Sequence, residues 1–109
     1  MTVENTDDAP LIEACTACRD AYAHYLRGCE VFADAEAKGI EPPAEGGLWW
    51  MSIRWLEAMR RVSHIPAQTR SGLMAKGVVY RDYFAERTPD EDGSELLASL
   101  LSDMVRVLS

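Results

Sequence analysis

The chain has 109 residues, enough for one domain with a single buried core and no need of covalent staples. It is 48% hydrophobic and 27% charged, which is the balance of a globular chain rather than a disordered one. Its formal charge of −7 counts against nucleic-acid phosphates and anionic lipid as partners. The charge is unevenly spread. Residues 1–45 hold three cations against ten acids, residues 46–87 seven cations against three acids, and residues 88–109 one cation against five acids. Two acidic segments therefore flank a basic middle.

Taken from its first residue, the chain opens on Met1 to Asp8 without a basic n-region or an apolar run, so no signal peptide is expected. Nor does any apolar run approach the length of a membrane span. A cytoplasmic protein of one helical domain, 1–109, is expected, with residues 1–9 as a flexible N-terminal arm. Asp7 or Asp8 can cap a first helix, and Pro10 suits its first turn. Leu11, Cys15, Cys18, Tyr22, Tyr25, Cys29 and Phe32 then recur at spacings of four and three, a helical seam. Gly39 and Pro42-Pro43 end it. Three cysteines, an odd number without an export signal, read as reduced thiols, and Cys15-x-x-Cys18 lies on the apolar seam as inert core.

A second helix opens at Glu45-Gly46-Gly47 and presents Leu48, Met51, Trp55, Leu56, Met59 and Val62 on one broad face. Trp50 falls on the opposite, polar face with Arg54, Glu57 and Arg61. Pro66 disfavours helical geometry at Ile65, and Thr69 offers a hydroxyl to the first turn of a new helix. That third helix runs from about Arg70 to Glu86, with Leu73, Gly77, Tyr80 and Phe84 as its stripe and Tyr83 at the margin. Gly77 on this stripe suggests close helix–helix approach. Thr88-Pro89-Asp90-Glu91 has the form of a capping box for a fourth helix, although Asp92 or Ser94 could cap a shorter one. Its inward residues are expected to be Leu97, Leu100, Leu101, Met104 and Leu108. No segment alternates with period two, so the fold class is all-α, a four-helix bundle with a long first helix.

The lengths carry a further expectation. A straight first helix of about 42 Å overhangs a second and third of about 27 Å by some 15 Å, at 1.5 Å per residue. The overhang takes Cys29 and Phe32 beyond the intramolecular core. Either the helix kinks at Gly28, or a second subunit covers the excess seam, and a homodimer is favoured.

Candidate chemistry is sparse. Asp20, His24 and Arg27 share one flank of the first helix, and His64 is the other histidine. Asp20, His24 and His64 are weak candidates for a metal or small-molecule site, since no Glu-x-x-His is present on either helix. No Ser/His/Asp or Cys/His arrangement and no phosphate-binding loop is recognised, so no enzyme and no cofactor is expected. The favoured reading is a small adaptor or regulatory protein acting by self-association or contact with an unidentified protein partner. Its expected contact surface is Trp50, Arg54, Glu57, Arg61, His64 and Phe32. Nucleic-acid binding would require Arg54, Arg61, Arg70 and Arg81 on one exposed face.

Two stretches carry a resemblance. Asp8-Ala9-Pro10-Leu11-Ile12-Glu13-Ala14, leading into Arg19-Asp20-Ala21-Tyr22-Ala23, is one. Pro66-Ala67-Gln68-Thr69-Arg70-Ser71-Gly72-Leu73-Met74-Ala75-Lys76 is the other, and is similar to a Pro-Ala-x-Thr-x-x-Gly-Leu-x-Ala-Lys pattern. Together they resemble a group of small, uncharacterised helical proteins of alphaproteobacteria, from which this chain departs in its tryptophan-rich second helix. The resemblance implies a bacterial cytosolic origin and the break between the second and third helices, and no function.

Overall fold

The chain changes direction where its backbone chemistry says it must. Gly39 adopts φ +69°, the left-handed conformation that a residue without Cβ takes most easily. Around it Ile40 N–H donates to the Ala35 carbonyl and Gly39 N–H to Glu36, the two bonds of a Schellman motif. At Pro66 a second break follows, and Thr69 Oγ1 accepts the Gly72 N–H at 3.1 Å to start the next helix. The computed structural model describes residues 8–41, 45–86 and 91–109. Four helices result: α1 Ala9–Ala37, α2 Glu45–His64, α3 Arg70–Glu86 and α4 Glu91–Leu108. The Pro42-Pro43 stop and the Thr88-Pro89 capping residues lie outside the described residues.

The architecture is an all-α four-helix bundle. α1 packs on α2 and α3, and α4 packs on the same two helices, so α1 and α4 face each other across a diagonal. At the centre Trp55 of α2 is 2% exposed. Its ring lies 4.8 Å from Tyr22, 5.4 Å from Tyr25 and 5.9 Å from Tyr83, joining α1, α2 and α3 in one aromatic cluster. Leu11, Cys15, Cys18, Met59, Val62 and Leu96 fill the rest of the core.

Several expectations change in three dimensions. The helical start leaves no arm at residues 8 and 9: Asp8 is buried and Ala9 is already in α1. Asp8 stands at the N-cap of α1 but makes no side-chain cap bond there. Instead its carboxylate accepts the Gln68 and Thr69 N–H groups and the Thr69 hydroxyl, at 2.7–3.0 Å, ahead of α3. On α3, Tyr83 is core while Tyr80 is half-buried and Phe84 exposed. On α4, Leu96 is fully buried, Leu97 and Leu100 are half-buried, and Leu101, Met104 and Leu108 are exposed. The reason is common to both helices. Lys76 and Asp103 turn inward as a pair and rotate each apolar stripe away from the centre.

The glycines also exchange roles. A Cβ on Gly77 would meet nothing within 4 Å, so no close approach occurs there. One on Gly72 would collide with the Asp8 carboxylate. At Gly28 it would lie 2.7 Å from Met51 Sδ, so this glycine lets α1 and α2 approach closely within an uninterrupted helix.

α1 does overhang. The described residues extend 60 × 28 × 16 Å with a Cα radius of gyration of 16.4 Å, against about 13 Å for a compact domain of this length. The tip is the end of the α1–α2 hairpin.

Candidate functional site

Both flanks of the α1–α2 hairpin are incomplete as packing surfaces. Trp49 and Trp50, at the start of α2, are each 59% exposed and meet edge-on at 5.3 Å and 70°. They diverge because successive residues of a helix turn by about 100°. Trp49 shares a groove with Tyr25, Phe32, Leu48 and Ser52. A neighbouring cavity of about 530 Å³ runs on along Cys29, Phe32, Ala33, Glu36, Gly39 and Ile40. This flank is the core seam of α1 continued beyond the point where α3 ends. Phe32 is half-buried within it.

On the other flank a cleft of about 460 Å³ is lined by Ala17, Asp20, Ala21, His24, Arg27, Met51 and Arg54. Arg54 and Trp50 are one turn apart on α2, and Glu57 and Arg61 continue the same exposed strip. None of Arg27, Arg54 or Arg61 forms an ion pair with another described residue. With the guanidinium groups of Arg27 and Arg54 against the one carboxylate of Asp20 in its walls, the cleft favours an anion over a metal cation.

The expected residues divide accordingly. Trp50, Arg54, Glu57 and Arg61 form one exposed strip; Phe32 lies on the opposite flank of the hairpin. His64 is at the far end of α2, where its Nε2 is 3.8 Å from Glu95 Oε1 of α4. It is therefore apart from Asp20 and His24, ten residues or about 15 Å along the helix from Arg54. The Asp20, His24 and His64 set does not converge, and no group of three or more His, Cys, Asp or Glu side chains among the described residues is placed to hold a metal ion. Arg54 and Arg61 project from α2, Arg70 and Arg81 from the diagonally opposed α3, so the basic middle does not form one nucleic-acid face. Among the described residues no helix is long and apolar enough to cross a membrane.

The cysteine pair is core. Burial, together with the Asp8 charge and against that of Lys76, pushes the Cys15 thiol up to about 11. Burial, with Cys15 and Asp82 nearby, pushes Cys18 up to about 12. Neither is a nucleophile near neutral pH.

Sequence reasoning missed a buried polar network. Lys76 is fully buried, and its Nζ donates to Asp103 Oδ2 at 2.5 Å, Ile65 O at 2.7 Å and Ser99 Oγ at 2.9 Å. The Ala67 N–H donates to Asp103 Oδ2 at 3.0 Å, and Arg106 donates to both Asp103 Oδ1 and Ala67 O. Burial by itself would raise the Asp103 carboxyl, but hydrogen bonds from Lys76, Ala67 and Arg106 and the Lys76 charge hold it below its ordinary value. Every donor of the ammonium is used, so the network joins α3, α4 and the Pro66 break and offers nothing to a ligand. A second ion pair, Arg19 Nε to Asp82 Oδ2 at 2.9 Å, joins α1 to α3.

Compared with known proteins, the chain matches no family model, no curated protein and no solved structure.

Proposed function

We propose that this chain is a protein-binding module, adaptor or regulatory in role, that grips a partner with the outer flank of its α1–α2 hairpin. One observation carries the reading: a tryptophan 59% exposed stands one turn from Arg54, which lines a cleft whose two arginines form no ion pair among the described residues. Tryptophan beside arginine is the composition of an interface hot spot. The occupant that fits is an acidic segment of another protein with one apolar anchor: carboxylates toward Arg27 and Arg54, the anchor against Trp50 and Met51.

The test is comparative capture from the source cell by wild type, Trp50→Ala and Arg54→Glu, with circular dichroism to confirm the fold. Proteins retained by wild type should be lost with either variant and released by moderate salt. Equal retention by all three proteins would remove this flank from the interaction.

A further inference from the structure

The cleft of the α1–α2 hairpin gathers charge that the packing of the bundle does not use. Along α1, Asp20, His24 and Arg27 fall at intervals of four and three residues, one exposed strip about 10 Å long. Arg54 joins them from α2, and Ala17, Ala21 and Met51 complete the lining. None of the four polar side chains forms a hydrogen bond or ion pair with another described residue. By contrast Arg19, Lys38, Lys76 and Arg106 each reach a carboxylate. Just beyond the cleft the two helices are held close, since a Cβ on Gly28 would lie 2.7 Å from Met51 Sδ. Both guanidinium groups therefore stand on helices whose separation is set by backbone approach.

The make-up of the cleft selects among anions. Two guanidinium groups stand against one carboxylate, and His24 supplies at least one N–H in either protonation state. Three donor groups drawn from two helices suit an acceptor with three oxygens; a carboxylate has two, and one guanidinium fork fills them. Surrounding charge points the same way. Glu30 lies three residues beyond Arg27 and Glu57 three beyond Arg54, both exposed, and the whole chain carries −7. A run of carboxylates laid along this flank meets those acids. A phosphoryl group instead concentrates about −1.5 to −2 charges at one point.

We propose that the cleft is a recognition site for a phosphoryl group carried on a side chain of the partner protein. The assignment rests on the reading of this flank as a protein-binding surface, and it names the group that is bound. Arg27 and Arg54 close on the phosphoryl oxygens from the two walls, and His24 N–H donates to a third oxygen. Asp20, about 10 Å along α1 from Arg27, stands beyond the anion and accepts a backbone N–H of the segment that carries it. The segment's neighbouring apolar side chain rests on Met51 and Trp50. A partner's side chain fits better than a free phosphate ion, because the cleft of about 460 Å³ far exceeds such an ion. A free ion would also leave Met51 and the 59% exposed Trp50 unused. The consequence is regulatory: the partner is held when phosphorylated and released when the phosphate is removed.

Amide NMR titration of the full chain tests this with capped pentapeptides Gly-Leu-X-Leu-Gly, X being phosphoserine, glutamate or serine, and with inorganic phosphate. The phosphoserine peptide should shift the amides of residues 20–27 and 50–54. It should bind at least about tenfold more tightly than the glutamate peptide, and the serine peptide should shift nothing. Arg27→Gln and Arg54→Gln, both at exposed positions, should each weaken that binding about tenfold or more, and Lys38→Gln at the hairpin tip should leave it unchanged. Equal binding of the phosphoserine and glutamate peptides overturns the phosphoryl assignment and leaves the acidic-partner reading standing. Inorganic phosphate bound as tightly as the phosphopeptide overturns a partner's side chain as its source. No shift at the cleft with any of the four probes overturns the proposal as well. Capture that is lost with Trp50→Ala yet survives phosphatase treatment of the lysate would then keep the protein-binding module without it.

Discussion

Lys76 and Asp103 are each almost without solvent, and neither is tolerable there alone. Removing one partner strands a buried charge, which typically costs 3–5 kcal/mol, whereas replacing both by apolar groups of similar shape is often near neutral. Lys76→Met is thus expected to lose about 3–5 kcal/mol in urea unfolding, and Lys76→Met/Asp103→Leu to recover a large part of it. The same pair sets the acid limit. The Asp103 carboxyl is held below 3.8 in the folded chain, so its stabilisation is complete above that value and is lost as pH falls through the lower native one. Unfolding midpoints should accordingly fall with acidification below about pH 4, and less steeply in Asp103→Asn. The thiols are equally defined by burial. Ellman's reagent at neutral pH should leave Cys15 and Cys18 unreacted in the native protein and titrate all three cysteines in denaturant, Cys29 being half-buried at the hairpin.

Helix α3 begins and continues on two glycines of opposite meaning. Gly72 leaves the space that the Asp8 carboxylate fills as it caps the approach to the helix, so Gly72→Ala displaces that carboxylate and should cost about 1–3 kcal/mol. Gly77→Ala meets no atom and should stabilise the monomer by about 1 kcal/mol from helix propensity. Thermal or urea melts of the two variants at low concentration should therefore move in opposite directions. The contact between Asp8 and Thr69 also makes the start of α1 and the start of α3 one structural unit. Ala67 and Lys76, on either side of the α3 start, both donate to Asp103 Oδ2, while Arg106 donates to its Oδ1.

At the scale of the molecule, a 29-residue α1 set against a 17-residue α3 forces an elongated shape with an uncovered hairpin. Small-angle scattering at low concentration should give an elongated monomer close to the 16.4 Å Cα value plus hydration. The hairpin flank joins an exposed tryptophan to cations, so binding there should weaken with salt.

Helix number and boundaries were legible because they depend on local chemistry: the Gly39 turn, the Pro66 break and Thr69 act within a few residues of themselves. The all-α class, the burial of Cys15 and Cys18, the overhang of a straight α1 and the place of Trp50 on the polar face of α2 followed from spacing and length alone; that nothing among the described residues covers Trp50 did not. Which side of α3 and α4 faces inward was not legible, because a pattern of apolar residues cannot register a lysine and an aspartate twenty-seven positions apart that neutralise each other once buried. Nor could spacing tell that Asp8 serves a helix sixty residues away, or that His64 stands apart from His24. Local hydrogen bonding and hydrophobic periodicity determined the elements; long-range charge pairing and close packing, which exist only after the helices meet, decided their rotation and the faces left open.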